Sequence, residues 1–117
     1  MVILCGIKNC DSVKKARNWL EGRGINYQFH DFRSDGLQRE RVQQWNRAVG
    51  WETLLNRRGT SWRQLPQQTR DDIDESSALA LMLENPTLIK RPVLELNDGS
   101  VHVGFNAEHY AALFPTK

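Results

Sequence analysis

The chain has two cysteines, and both fall in "LCGIKNCDSVKKARNWL", residues 4–20. Cys5 sits inside the apolar run "VILCG", where a free cysteine behaves as a small hydrophobe. Cys10 falls where that run has ended and a helical period begins. A helix start carries unpaired N–H groups and the positive end of the helix dipole. A thiolate is stabilised there, and the thiolate is the nucleophilic form of cysteine. An ordinary cysteine, with a pKa of about 8.5, is only a few per cent ionised at pH 7. Lowering that value by two units takes about 2.7 kcal/mol of preference for the charged form. N–H donors at the helix start, with Lys8 and Lys14 nearby, work in that direction, and Asp11 works against them. The expectation is a reactive Cys10 and an inert Cys5. Position 13 is Val13, so there is no C-x-x-C motif. A Cys5–Cys10 disulfide is not expected. A strand interior and the next helix start usually lie beyond the roughly 7 Å between Cα atoms that a disulfide tolerates.

Other chemistry is thinner. His30, His102 and His109 look scattered, and no Cys/His pair has zinc-ligand spacing, so no metal is expected. There is no G-x-G-x-x-G or G-x-x-x-x-G-K-[ST] signature. Trp19, Trp45, Trp51 and Trp62 fall in helical segments and read as core rather than as stacking platforms for bases. "LIKRPVLEL" places Arg91 and Pro92 directly before a strand, where a residue without an N–H is tolerated. "LLNRRGTSW" places Arg57 and Arg58 in a break between helices. They gain interest if they join Arg91 in an anion pocket over Cys10.

The totals bound these readings. At 117 residues the chain is one domain by size, long enough for a core of its own. With 16 basic and 14 acidic residues the net charge is +2, which gives no reason to expect nucleic acid or an anionic membrane as partner. No apolar run approaches the roughly 20 residues of a membrane span. "MVILCGIKNC" lacks a basic leader and a cleavage site, so a signal peptide is not expected. A monomeric cytoplasmic protein with reduced thiols is the expectation.

The elements that must position Cys10 follow from period. "VILCG" reads as a buried strand. Val13, Ala16 and Leu20 mark a helix over residues 11–21, and "YQFHDF" alternates as a second strand. Strand, helix and strand within about 30 residues is the size of a βαβ unit. Residues 37–85 are mostly helical. Val42, Trp45 and Val49 form one stripe, Thr60 or Ser61 caps a turn, Pro66 opens a helix, and "SSALALMLENP" runs from a serine start to a proline stop. "PVLELNDGSVHVGF" reads as a hairpin, and "NAEHYAALF" as a closing helix capped by Asn106. The order β-α-β, helical block, β-β-α is thioredoxin-like: an α/β fold with a mixed four-stranded sheet and an all-helical insertion. The core spans about residues 1–35 and 87–117 and the insertion about 36–86 of a single domain over 1–117.

"GIKNCDSVKKARNWLE", "LLNRRGTSWRQL" and "IKRPVL", in that order, resemble the arsenate reductase (ArsC)/Spx family, and most of all its YffB branch. The resemblance implies a functional cysteine at Cys10 and an arginine before a cis proline at Arg91 and Pro92. It also implies a second arginine in "NRRG", with Arg58 preferred and Arg57 the alternate. Together with Asn9 and Lys8, these would bind glutathione or another substrate. Arsenate reductases of this type use three arginines, glutathione and glutaredoxin. The third arginine has no counterpart in "VGFN", Val103 to Asn106, and one placed at Gly104 or Phe105 is expected to improve arsenate turnover if those positions face the pocket. The resemblance therefore implies a glutathione-dependent thiol-disulfide reductase, with glutathione as co-substrate and glutaredoxin as a possible partner. The alternatives are an arsenate reductase with an incomplete arginine set and an Spx-like regulator that binds RNA polymerase.

Overall fold

β-branched and apolar residues with one closing glycine make residues 2–6 a strand, and the first element is β1, Val2–Gly6. A computed structural model of the protein describes residues 1–115. After β1 the period changes to 3.6, and α1 covers Asp11–Gly22 with Val13, Ala16 and Leu20 buried on one face. β2, Tyr27–Asp31, returns parallel to β1, with Leu4 opposite Phe29.

The chain divides into two compact units, one of residues 1–35 with the chain from Arg91 onward and one of Gly36–Lys90. The first unit holds a four-stranded sheet in the order β2-β1-β3-β4. β3, Val93–Glu95, runs antiparallel to β1, and β4, Val101–Val103, runs antiparallel to β3. α7, Ala107–Leu113, starts at Asn106, whose side-chain oxygen accepts the His109 N–H. Val2 and Leu4 of β1, Leu94 of β3, Ala16 and Leu20 of α1 and Tyr110 of α7 form one core cluster. Both helices therefore cover the same face of the sheet. This parallel pair plus antiparallel hairpin, with its flanking helices, is the thioredoxin-like α/β fold.

The second unit is helical. It contains α2 (Arg39–Val49), α3 (Trp51–Leu54), α4 (Thr60–Arg63), α5 (Gln67–Asp71) and α6 (Glu75–Glu84), then a 3-10 turn at Pro86–Leu88. Val42, Trp45, Leu54, Leu55, Ala78, Met82, Leu88 and Ile89 are its buried apolar residues. Two cap expectations are corrected here. α6 starts from Asp74, not from a serine. The Asp74 carboxylate accepts the Ser77 N–H, and the Ser77 hydroxyl accepts the Asp74 N–H, a reciprocal cap. α4 starts from Gly59 with no side-chain cap, because the Ser61 hydroxyl pairs with that of Thr87 instead.

Candidate functional site

The end of β1 is shaped by a missing side chain. A Cβ on Gly6 would lie 2.7 Å from Cγ2 of Val13, which is fully buried. Glycine lets the first turns of α1 close onto the strand. Between the two, Ile7 is buried, and Lys8 and Asn9 are exposed in a turn. Cys10 is the N-cap of α1, in an extended conformation (φ −126°, ψ 125°). Its carbonyl accepts the Lys14 N–H at 2.9 Å, but its side chain makes no capping hydrogen bond. A half-buried sulfur thus stands at a helix start whose first N–H groups have no partner within the helix. Asp11 is the acidic residue of that first turn. Neither cysteine is in a disulfide, and Cys5 is fully buried in β1.

The start of β3 meets this end of β1. Cys5 pairs with Val93, so the antiparallel register carries Pro92 toward the Gly6 end of the strand. The Arg91–Pro92 peptide is cis. Pro92 is buried, and its carbonyl accepts the Gly104 N–H at 2.8 Å, which joins the end of β4 to the same corner. Arg91 is half-buried. Lys8, Asn9, Cys10, Arg91 and Pro92 therefore gather at one end of the sheet.

One expectation about this corner is corrected. Gly104 has φ +82°, a region that costs any other L-residue, so an arginine there is strained. Phe105 stacks edge-on against Tyr110 with ring centres 4.8 Å apart and packs on the core. An arginine there would remove core packing. Neither position is a ready place for a third arginine. Beside it lies an open cleft of about 420 Å³ lined by Ser12, Lys15, Phe105, Asn106, Ala107 and Glu108. Its Ser12 and Lys15 come from the first turns of α1, just beyond Cys10. Ser12 and Lys15 carry no motif, and nothing in their spacing marks them as site residues.

Arg57 and Arg58 belong to the helical unit. Their loop is anchored by a bridge between Leu55 and Ile89 and by the Asn56 N–H donating to the Leu88 carbonyl at 2.7 Å. The Asn56 side chain accepts the Arg58 N–H at 3.1 Å and bends the loop. The Arg57 guanidinium lies over both Trp51 and Trp62, 5.7 and 5.6 Å from their ring centres. Arg57 is thus engaged by its aromatic neighbours, which leaves Arg58, also exposed, as the stronger ligand candidate. Of the four tryptophans, Trp45 is fully buried, whereas Trp19, Trp51 and Trp62 are half-buried.

The histidines are not all scattered, which corrects the sequence reading. His102 on β4 and His109 on α7 meet, with His102 Nδ1 and His109 Nε2 3.1 Å apart. Burial holds His102 below the usual imidazole range, helped by neighbouring His109 and opposed by Asp98. The signal was legible only as topology: a strand, a tight bend and a helix that folds back on them.

A thioredoxin-like unit with one thiol at the start of its first helix and a cis proline before its third strand defines a class of thiol-bearing proteins. The ArsC family pattern matches residues 5–113, and the chain belongs to the ArsC family. The chain is similar in structure to the YFFB protein, 47% identical with a TM-score of 0.91, covering 96% of this chain and 97% of that one. It is also similar to an arsenate reductase (ArsC) related protein from Brucella melitensis, 49% identical with a TM-score of 0.79 over 98% and 95% of the two chains. The global transcriptional regulator Spx of Lactiplantibacillus plantarum is 27% identical over 100% of this chain and 89% of its own.

Proposed function

We propose that the protein is a glutathione-dependent thiol-disulfide reductase that works through a mixed disulfide at Cys10. The observation that carries this reading is an unclamped sulfur at the start of a 12-residue helix, in a chain whose other thiol is fully buried. The Cys10 thiolate attacks the glutathione sulfur of a mixed disulfide R–S–S–G. A Cys10–S–S–G bond forms and R–S⁻ leaves, to be protonated by solvent. A second glutathione, as thiolate, attacks the glutathione sulfur on Cys10, releasing oxidised glutathione and regenerating the Cys10 thiolate. An outside thiol must close the cycle because Val13 stands where a C-x-x-C motif would have its second cysteine.

Arg91, directly before the cis proline, suits a glutathione carboxylate, because guanidinium binds carboxylate through two parallel N–H donors. The cleft beside Ser12 and Lys15 offers room for part of the tripeptide. Arg58 is the second arginine of the reading. Glutathione as electron donor implies the cytoplasm, and no helix among the described residues is long and apolar enough to cross a membrane. Similarity to Spx supports a second reading, a regulator without catalysis. Similarity to the Brucella protein supports a third, arsenate reduction.

The test is turnover of a small glutathione mixed disulfide with glutathione as reductant, run beside arsenate. The reductase reading expects turnover that Cys10→Ser abolishes, with arsenate weak or inactive. Robust arsenate turnover would promote the third reading. Inactivity on both substrates in a folded protein would favour the regulator.

A further inference from the structure

We infer that His102 and His109 form a two-histidine binding site for a divalent transition-metal ion of the zinc or nickel type. Two observations carry it. The first is the spacing of the facing nitrogens, 3.1 Å, with ring centres 5.0 Å apart and planes inclined at 58°. In the metal-free protein this contact is a hydrogen bond, and rotation of the exposed His109 ring would aim both nitrogens at an ion lying to one side of it. An ion about 2.0–2.1 Å from each nitrogen would subtend about 95–102° between them, inside the range of distorted tetrahedral or octahedral coordination.

The second observation is what stands behind His102. The Ser100 hydroxyl donates to Oδ1 of Asp98 at 2.6 Å, so its one proton is used. Its oxygen can then only accept from Nε2–H of His102, at 3.1 Å. That fixes the tautomer of His102, with the lone pair of Nδ1 turned toward His109. A ligating histidine whose far N–H is held by a carboxylate, here through one hydroxyl, has the support that metal-bound imidazoles characteristically have. Hydrogen bonds from the Ser100 hydroxyl and N–H hold the Asp98 carboxyl below its usual range, so it is charged at neutral pH.

His109 is exposed at the first turn of α7, and its N–H is held by the Asn106 side chain at 3.0 Å. Without an ion, its Nε2–H donates to Nδ1 of His102. With an ion, the proton moves to the Nδ1 of His109 and both lone pairs meet the metal. Among the described residues no set of three His, Cys, Asp or Glu side chains gathers around a metal position. The ion therefore keeps water in its other positions, and the site is of the exchangeable kind. Neutral imidazole suits zinc, copper and nickel ions.

The experiment is calorimetric titration of Zn²⁺ into full-length protein without a histidine tag, carrying Cys10→Ser to remove the accessible thiol. One ion should bind per chain. His102→Asn and His109→Asn should each weaken binding by about 10-fold or more, with the melting temperature of His109→Asn nearly unchanged. In NMR spectra the ring signals of His102 and His109, and not those of His30, should move on titration. Failure to saturate at one ion, or binding that survives either substitution, overturns the assignment.

Discussion

Gly6→Ala tests how the fold holds its thiol in place. The added Cβ would sit 2.7 Å from Cγ2 of Val13, whereas carbon atoms pack best at about 3.5–4.0 Å. The overlap is therefore about 1 Å. Val13 is fully buried and cannot swing away, so α1 must shift from β1 by a similar distance or the core must strain. Overpacking of this kind costs about 1–3 kcal/mol. The shift acts on the turn of helix that Cys10 caps, and a misplacement of about 1 Å at a reacting group can cost about 100-fold in rate. Urea unfolding would give the stability change, and thiol exchange with a glutathione mixed disulfide, measured on protein shown to be folded, would give the rate. Val13→Ala removes the methyl that clashes, so the double variant should be more stable than the sum of the single effects allows. A Gly6→Ala protein within about 0.5 kcal/mol of the parent would refute the reasoning, as would a strictly additive double variant.

Other expectations are shorter. The Tyr110 hydroxyl is buried without a hydrogen-bond partner among the described residues, and burial pushes its pKa up. Tyr110→Phe should therefore stabilise the protein by about 1 kcal/mol, or roughly 4 °C in a thermal melt, and a loss of stability would show that the hydroxyl is satisfied. Burial depresses the folded pKa of His102, so the unfolded chain takes up its proton first. The stability His102 gives is present above about pH 6.5 and falls as the pH drops through the folded value. His102→Gln should flatten that part of a plot of urea midpoint against pH, and an unchanged slope would refute it. Arg91→Ala and Arg58→Ala should each weaken glutathione use by about 1.5–3 kcal/mol in kcat/KM, the usual worth of a charged hydrogen bond. Unchanged kinetics in both would move the anion site elsewhere.

Much of the fold is legible because its sheet unit alternates and switches period cleanly. "VILCG" followed by Val13, Ala16 and Leu20 can only be a strand and then a helix with one buried face. Asn106 caps its helix as its residue type suggests. Cap identity fails where several polar residues compete. Asp74 wins over Ser76 and Ser77 because Ser77 can return a hydrogen bond from the third helical position. Ser61 is lost as a cap to a partner 26 residues away, which no local pattern shows. At the site, Cys10 and Pro92 stand out by position and type. The cleft at Ser12 and Lys15 and the meeting of His102 with His109 arise from chain reversal, which spacing does not encode. The unsuitability of Gly104 for arginine lies in a backbone angle, and that of Phe105 in its contact with Tyr110.

If Cys10 is the nucleophile of a glutathione cycle, oxidised glutathione should capture it covalently. The protein is incubated with oxidised glutathione at neutral pH without other thiols, then weighed intact and mapped by peptide mass. One glutathione adduct per chain is expected, on Cys10, with Cys5 unmodified because it is fully buried in β1. The adduct should disappear in Cys10→Ser and be released by added glutathione. A folded protein that forms no adduct, or carries it on Cys5, would show that Cys10 is not that nucleophile.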